Sequence, residues 1–204
     1  MVVPVPDEKL DHADHDAKHI VTGLRIISGA HSRYWVMAAR YPDRCWLSPH
    51  VRVGPSAIEG QGLFALADLA EGETVLRLGG QEIDDAGLAA LTPPYSSLTV
   101  EDGVHLLIDP GHPVRYGNHS CDPNLWHADA VTVVARRAVT AGEELTIDYA
   151  THTGAETWAM PCRCGSPACR GTVTGRDWRL PGLRLAYGTH WSPALLKRID
   201  HLSR

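Results

Sequence analysis

Three cysteines stand close together in the run Cys162-Arg163-Cys164-Gly165-Ser166-Pro167-Ala168-Cys169-Arg170-Gly171. Thiolates at this spacing, with Gly and Pro in the turn between them, are suited to hold a metal ion. A closed structural zinc site takes four ligands, so a fourth must come from elsewhere, and Cys121 is the candidate. Cys45 has no ligand spacing around it and reads as a buried or merely free thiol. An odd number of cysteines, mostly clustered, argues for metal binding rather than disulfides. Other side chains invite other chemistry. Glu143, Glu144 and Asp148 suggest a hydrolase carboxylate pair, but Glu143 and Glu144 are adjacent at a turn. His119 beside Cys121 suggests a cysteine nucleophile, a role that a thiolate engaged by zinc cannot fill. Tyr149, ending an apolar run, reads by itself as a packed ring with its hydroxyl at the rim.

Cys121 lies in Arg115-Tyr116-Gly117-Asn118-His119-Ser120-Cys121-Asp122-Pro123-Asn124, followed downstream by Glu144-Leu145-Thr146-Ile147-Asp148-Tyr149. Upstream stands Ile58-Glu59-Gly60-Gln61-Gly62-Leu63-Phe64-Ala65. With the Cys-x-Cys-x4-Cys-x-Gly run, these four segments resemble, in order, the motifs of SET-domain protein-lysine methyltransferases with a post-SET zinc motif. The resemblance covers about residues 50 to 175 and points to a compact, bacterial-type member. It implies a mainly β fold with short helices, a β-clip of small curved sheets. In that fold the Asn118 and Tyr149 segments pass close together in a pseudoknot.

The resemblance also implies a cofactor, S-adenosylmethionine, and one structural zinc on Cys121, Cys162, Cys164 and Cys169. Gly60 and Gly62 would let the backbone approach the cofactor, since a side chain would block it, and Gln61 between them is a further implied cofactor-binding residue. Asn118 and His119 would contact it, Arg115 and Tyr116 would lie against it, and Trp178, in preference to the Trp158 to Met160 stretch, would close over it or wall the lysine channel. Tyr149 is the implied catalytic residue, orienting a lysine amine for in-line attack on the methyl group. The expected partner is a protein or peptide presenting a lysine. Two alternatives stay open: a catalytically weak module of the same fold that binds a partner, and a methyltransferase acting on a non-protein amine.

The elements that must position these residues follow from the hydrophobic pattern. Short β-branched runs bounded by Gly, Pro, Asp or Asn predict strands at 51–53, 62–65, 74–78, 104–108, 131–135 and 145–149. Leu69-Ala70-Glu71-Gly72-Glu73-Thr74-Val75 and Val139-Thr140-Ala141-Gly142-Glu143-Glu144-Leu145 echo each other as a glycine turn running into a strand. A short helix is expected from Gln81 to Pro94. A final one should be capped by Ser192, open with Pro193 and carry a stripe of Leu195, Leu196, Ile199 and Leu202. Domain boundaries are expected at 1–48 (an appendage, its first 19 or so residues disordered), 49–150 (the SET domain), 151–175 (the zinc segment) and 176–204 (a helical extension). His12, His15 and His19 share a helix face, and the tail carrying them reads as solvated, with metal binding as the alternative.

A net charge of -5 and pI near 6.2 argue against direct nucleic-acid binding, which relies on basic stripes. Hydrophobic residues at 44% suit a globular core. No apolar run approaches the ~20 residues of a membrane span, and the N-terminus lacks the features of a secretory signal. These features predict a soluble intracellular protein, cytoplasmic, or nuclear in a eukaryote.

Overall fold

The structure is a computed structural model that describes residues 40–202. His12, His15 and His19 lie outside the described residues. The strands in chain order are β1 (Trp46–Leu47), β2 (Val51–Pro55), β3 (Gln61–Ala65), β4 (Thr74–Arg77), β5 (Gln81–Ile83), β6 (Ser97–Glu101) and β7 (Val104–Leu107). They continue with β8 (Asn118–His119), β9 (Leu125–His127), β10 (Thr132–Ala135), β11 (Glu144–Ile147), β12 (Ala159–Pro161) and β13 (Thr172–Thr174). The helices are α1 (Asp85–Ala89), α2 (Pro181–Tyr187) and α3 (Pro193–Leu202). The fold is mainly β with short helices, as expected, and β1 already precedes the expected boundary at residue 49.

The strands assort into small sheets ordered β1-β4-β10-β9, β2-β3-β11-β8 and β5-β7-β6, with β12-β13 as a separate hairpin. One apolar core joins the first three. Leu63 and Leu145 oppose each other across β3 and β11, both with no exposed surface, and pack with Val75, Val133, Leu98 and Leu106. Each such leucine contributes about 1.5–3 kcal/mol by leaving water.

The arrangement that builds the site is the parallel pairing of β8 with β11, Thr146 opposite Asn118 and Ile147 opposite His119. Parallel neighbours need a long connection, and here the intervening chain carries β9 and β10 into the other sheet before returning. Asn124 locks the crossing, donating through Nδ2 to the Glu144 carbonyl and accepting from the Thr146 N–H. The two echoing turns meet as well. Leu69 and Val139 exchange backbone hydrogen bonds of 2.8 and 3.0 Å. Glu73 and Glu143 each accept from the backbone N–H three residues earlier, and Gly72 and Gly142 take positive φ.

Two helix expectations need correction. Residues 81–83 form a strand against β7 rather than the start of a helix, which begins only after Asp84 caps the Gly87 N–H. α1 buries none of its residues, so no apolar stripe extends it. At α3, the Ser192 hydroxyl is fully buried without a partner and does not cap. Leu195 is buried against Trp178, Tyr187 and Trp191, whereas Leu202, expected in the stripe, is exposed. Among the described residues no helix is long and apolar enough to cross a membrane.

Candidate active site

Two cavities share one residue, Tyr149. The first, about 220 Å³, is walled by apolar side chains including Leu88, Leu98, Ile147 and Trp158, with Arg115, Tyr95 and His152 also lining it. Among the described residues lining it, none is a carboxylate. The second, about 380 Å³, is lined by Ile58, Glu59, Asn118, His119, Tyr149, Met160, Pro161 and Arg163.

Tyr149 opens a 3₁₀ turn whose N-cap is Asp148. Its hydroxyl donates to the Gly117 carbonyl at 2.7 Å, which spends the proton and leaves the oxygen lone pairs free to accept. Burial pushes its pKa up to about 12, so the group remains a neutral phenol. Its own N–H donates to His119 Nδ1 at 3.2 Å. An accepting Nδ1 places the His119 proton on Nε2, which lies 3.3 Å from Cys121 Sγ and can donate to it. Asp148 Oδ1 is 3.5 Å from the same Nδ1. Burial nevertheless outweighs that charge and lowers His119 to about 4, so the contact is not an ion pair near neutral pH.

Asn118 Nδ2 faces the Glu59 and Gln61 carbonyls and the Glu144 carboxylate, 2.8–3.1 Å away. Ser56 donates to the same carboxylate at 2.7 Å. The glycines also have roles within the protein itself. A Cβ on Gly62 would collide with Glu144, so its bareness makes room for this carboxylate. Gly60 takes φ +48 with open space where a Cβ would point, so it serves the hairpin turn.

Cys121, Cys162, Cys164 and Cys169 form a cluster whose four sulfurs lie within 4.8 Å of one another, Cys121 to Cys162 at 3.8 Å. Sulfurs ~2.3 Å from a tetrahedral zinc stand about 3.8 Å apart, so the donor set fits a metal ion. Backbone N–H groups of Cys121, Arg170 and Gly171 point at three of the sulfurs from 3.4–3.5 Å, which favours thiolates. The loop is pinned at its base by β12 and β13 and by the Cys162 N–H to the Gly171 carbonyl at 2.8 Å. These strands were not read from the sequence.

Beyond the cysteines, Arg170 clamps Asp148. Two guanidinium nitrogens lie 2.6 and 2.7 Å from its carboxylate, while Nε sits 3.0 Å from Asp177. Tyr187 of α2 donates to Asp148 at 2.8 Å. Asp148 has no exposed surface. Burial alone would raise its pKa, but the bonds and charge of Arg170 outweigh it and hold the carboxyl below its usual range. This network joins the residue before Tyr149 to the residue after Cys169, a pairing that neither residue type nor spacing announces.

Of the expected cofactor residues, the structure brings Asn118, His119 and Tyr149 to the second cavity, and Asn118 donates to the carbonyl of Gln61, which stands between Gly60 and Gly62. Arg115 instead lines the apolar cavity, donating to the Pro110 carbonyl and stacking over Tyr116, which lines neither. Trp178 is 4% exposed in the α2–α3 cluster and lines neither cavity. Tyr187, Trp191 and Leu195 take up its ring, and it is Trp158 that stands by Tyr149, ring centroids 6.4 Å apart. Ile58, Glu59, Met160, Pro161 and Arg163 were missed. Nothing in their types marks them apart from adjacency to the glycine and cysteine runs.

Residues 60–150 match the family model described as SET domain. It is 29% identical over 155 residues to the histone-lysine N-methyltransferase ash1 of Drosophila melanogaster, covering 67% of this chain and 7% of that protein. With the H3 lysine-36 specific histone-lysine N-methyltransferase of Candida albicans it shares 30% identity over 136 residues, 58% of this chain and 16% of that one. Human histone-lysine N-methyltransferase 2B is 31% identical over 140 residues, covering 59% and 5%. This chain therefore spans under a fifth of the length of these relatives. The methyltransferase domain of human SETMAR aligns with a TM-score of 0.49 and 21% identity, over 61% of this chain and 58% of that one.

Proposed function

We propose that the protein is an S-adenosylmethionine-dependent methyltransferase acting on a lysine side chain of a protein, with one structural zinc on Cys121, Cys162, Cys164 and Cys169. The observation that carries this reading is that Tyr149 belongs to both cavities. One cavity has the size of a small-molecule site and combines apolar Ile58, Met160 and Pro161 with charged Glu59 and Arg163. These suit a cofactor that joins an apolar ring system to a zwitterionic amino acid. Asn118 and His119 would hold it beside Tyr149. The other cavity suits a lysine stem.

The bound cofactor supplies a methyl group on a positively charged sulfur. The protein's part is to deliver a neutral amine in line with it. An ammonium entering the apolar cavity finds no carboxylate among its lining residues, and the loss of water favours the uncharged amine. The Tyr149 oxygen, its proton directed at Gly117, accepts an amine N–H and aims the nitrogen lone pair. Alignment of donor and acceptor then carries much of the acceleration. The names of the relatives, all histone-lysine methyltransferases, support a protein substrate.

The test is calorimetry with S-adenosylmethionine, followed by incubation of a cell lysate with methyl-labelled cofactor and mass spectrometry of the modified sites. Labelled lysines are expected. Cofactor binding with label only on small molecules would point to a non-protein amine, and no binding would overturn the reading.

A further inference from the structure

The apolar cavity holds a second polar group beside Tyr149. His152 follows the Tyr149 turn, its N–H donating to the Tyr149 carbonyl, and its ring centroid is 5.7 Å from that of Tyr149. Ring atom Nδ1 lies 3.2 Å from Nε2 of His127 on β9. His127 is 1% exposed and its Nδ1 has no hydrogen-bond partner. Nε2 of His152 makes no hydrogen bond among the described residues. Its residue lines the cavity, so this nitrogen is a polar atom without a partner that a guest could use.

The protonation of the pair can be narrowed. Burial holds both rings neutral, His127 at about 4 and His152 at about 3. One proton must lie between the rings. If it sits on His152 Nδ1, then His152 Nε2 is a bare lone pair and His127 keeps its proton on Nδ1. The opposite arrangement turns an N–H of His152 outward and leaves a lone pair buried on His127. Only the first arrangement leaves His152 Nε2 as an acceptor. Other groups packed around the pair are the His190 ring, bonded to the His127 carbonyl, with Asp148 and His119 further off. None of them donates to His152 Nε2.

We propose that His152 is a specificity-determining residue. Its Nε2 accepts one N–H of the substrate lysine amine while the Tyr149 oxygen accepts the other, and the two acceptors together limit transfer to a single methyl. This rests on the methyltransferase reading. The lysine enters after releasing one proton to water, as a neutral amine with one lone pair and two N–H bonds. The lone pair forms the new C–N bond as the methyl's bond to sulfur breaks, and that bond's electrons stay on sulfur. The product is a monomethyl ammonium, which releases a proton to water. A second transfer would have to set the first methyl against one of the two acceptors, leaving a polar atom in an apolar cavity without its hydrogen bond.

The experiment compares the wild type, His152→Leu and His152→Asn on an unmodified and a monomethylated lysine peptide library, with products resolved by mass spectrometry and S-adenosylmethionine affinity read by calorimetry. The wild type should stop at monomethyl-lysine. His152→Leu should raise the rate on monomethylated relative to unmodified peptides about tenfold or more, with cofactor affinity held within about twofold. His152→Asn keeps a polar acceptor and should preserve the wild-type product. Equal product distributions in the wild type and His152→Leu, or a wild type that already adds three methyls, would overturn the assignment while leaving the methyltransferase reading intact. Failure of the wild type to transfer any methyl would overturn that reading and this one with it. Nitrogen-15 NMR of the histidine rings gives a check that needs no variant. His152 should carry its proton on Nδ1, and a proton found on Nε2 sinks the proposal.

Discussion

The two sides of the second cavity are made in different ways. Asn118, His119 and Tyr149 come from β8 and the end of β11, whose positions are fixed by a parallel backbone ladder and the Asn124 clamp. Met160 and Pro161 come from strand β12 of a two-stranded hairpin and Arg163 from the loop it carries, held by four sulfurs and the Arg170–Asp148 pair. A backbone ladder forms whenever the sheet forms. A sulfur cluster and a buried ion pair hold only while every member is present. The cofactor side should therefore be half permanent and half conditional.

The sharpest break in this comparison is removal of the metal. Structural zinc sites supply folding energy outright, and at the proposed site that energy would fall on one short loop. We expect about one zinc per chain in the native protein. Chelation, or Cys164→Ser, should remove it, weaken S-adenosylmethionine binding about tenfold or more, and expose residues 158–175 to protease. Amide protection in β3, β8 and β11 should persist. Loss of protection in both halves together would show that the division is wrong.

Next in size is the ion pair that joins the halves. Asp148 is fully buried and Arg170 is its bidentate partner. Replacing Arg170 with Met leaves a buried charge unpaired, a change that typically costs about 3–5 kcal/mol. Urea unfolding should register the loss, with Arg170→Lys intermediate because an ammonium cannot reproduce the fork. An Arg170→Met protein with unchanged stability would mean that Tyr187 and the backbone suffice for Asp148.

How much of this was legible beforehand divides along the same line. The strands of the core were readable because alternation and glycine turns are local signals, and β2, β3, β4, β7, β10 and β11 fall where those signals lie. The cysteine cluster was readable because ligand chemistry restricts residue type and spacing. What could not be read is pairing at a distance. Arg170 and Asp148 are 22 residues apart, and nothing in an Arg or an Asp announces its partner. Trp178 shows the same limit. Its place after the metal loop suggests the cofactor, while the structure packs its ring with Tyr187 of α2, a pairing that spacing does not announce.

Tyr149→Phe tests the permanent side without disturbing its frame. The hydroxyl makes one hydrogen bond, to Gly117, and the ring keeps its packing with Trp158 and His152. Methyl transfer should fall about 100-fold from lost alignment of the amine, while zinc content and cofactor affinity stay within about twofold. With the phenol at about 12, it stays protonated throughout the working range, so the wild-type rate should climb with pH as substrate lysine deprotonates. A drop in rate between pH 8 and 10 would count against a neutral tyrosine. So would an unchanged rate or methylation state in the Phe variant.

The smallest effect should come from the contact that spans the mouth of the cavity, Arg163 on the loop and Glu59 on the hairpin, 2.8 Å apart. It looks like a bridge between the halves, but both side chains are about two-thirds exposed, and water screens such pairs to below about 1 kcal/mol. Arg163→Ala should leave the urea midpoint almost where it is. Cofactor binding is the more telling measurement, because both residues line the cavity. If Arg163 serves the ligand more than Glu59, its loss should weaken S-adenosylmethionine binding several-fold, and the loss should shrink as salt is raised. A large change in stability with no change in affinity would reverse that view and make the surface pair, rather than the cysteines and Arg170, the tie between the two halves.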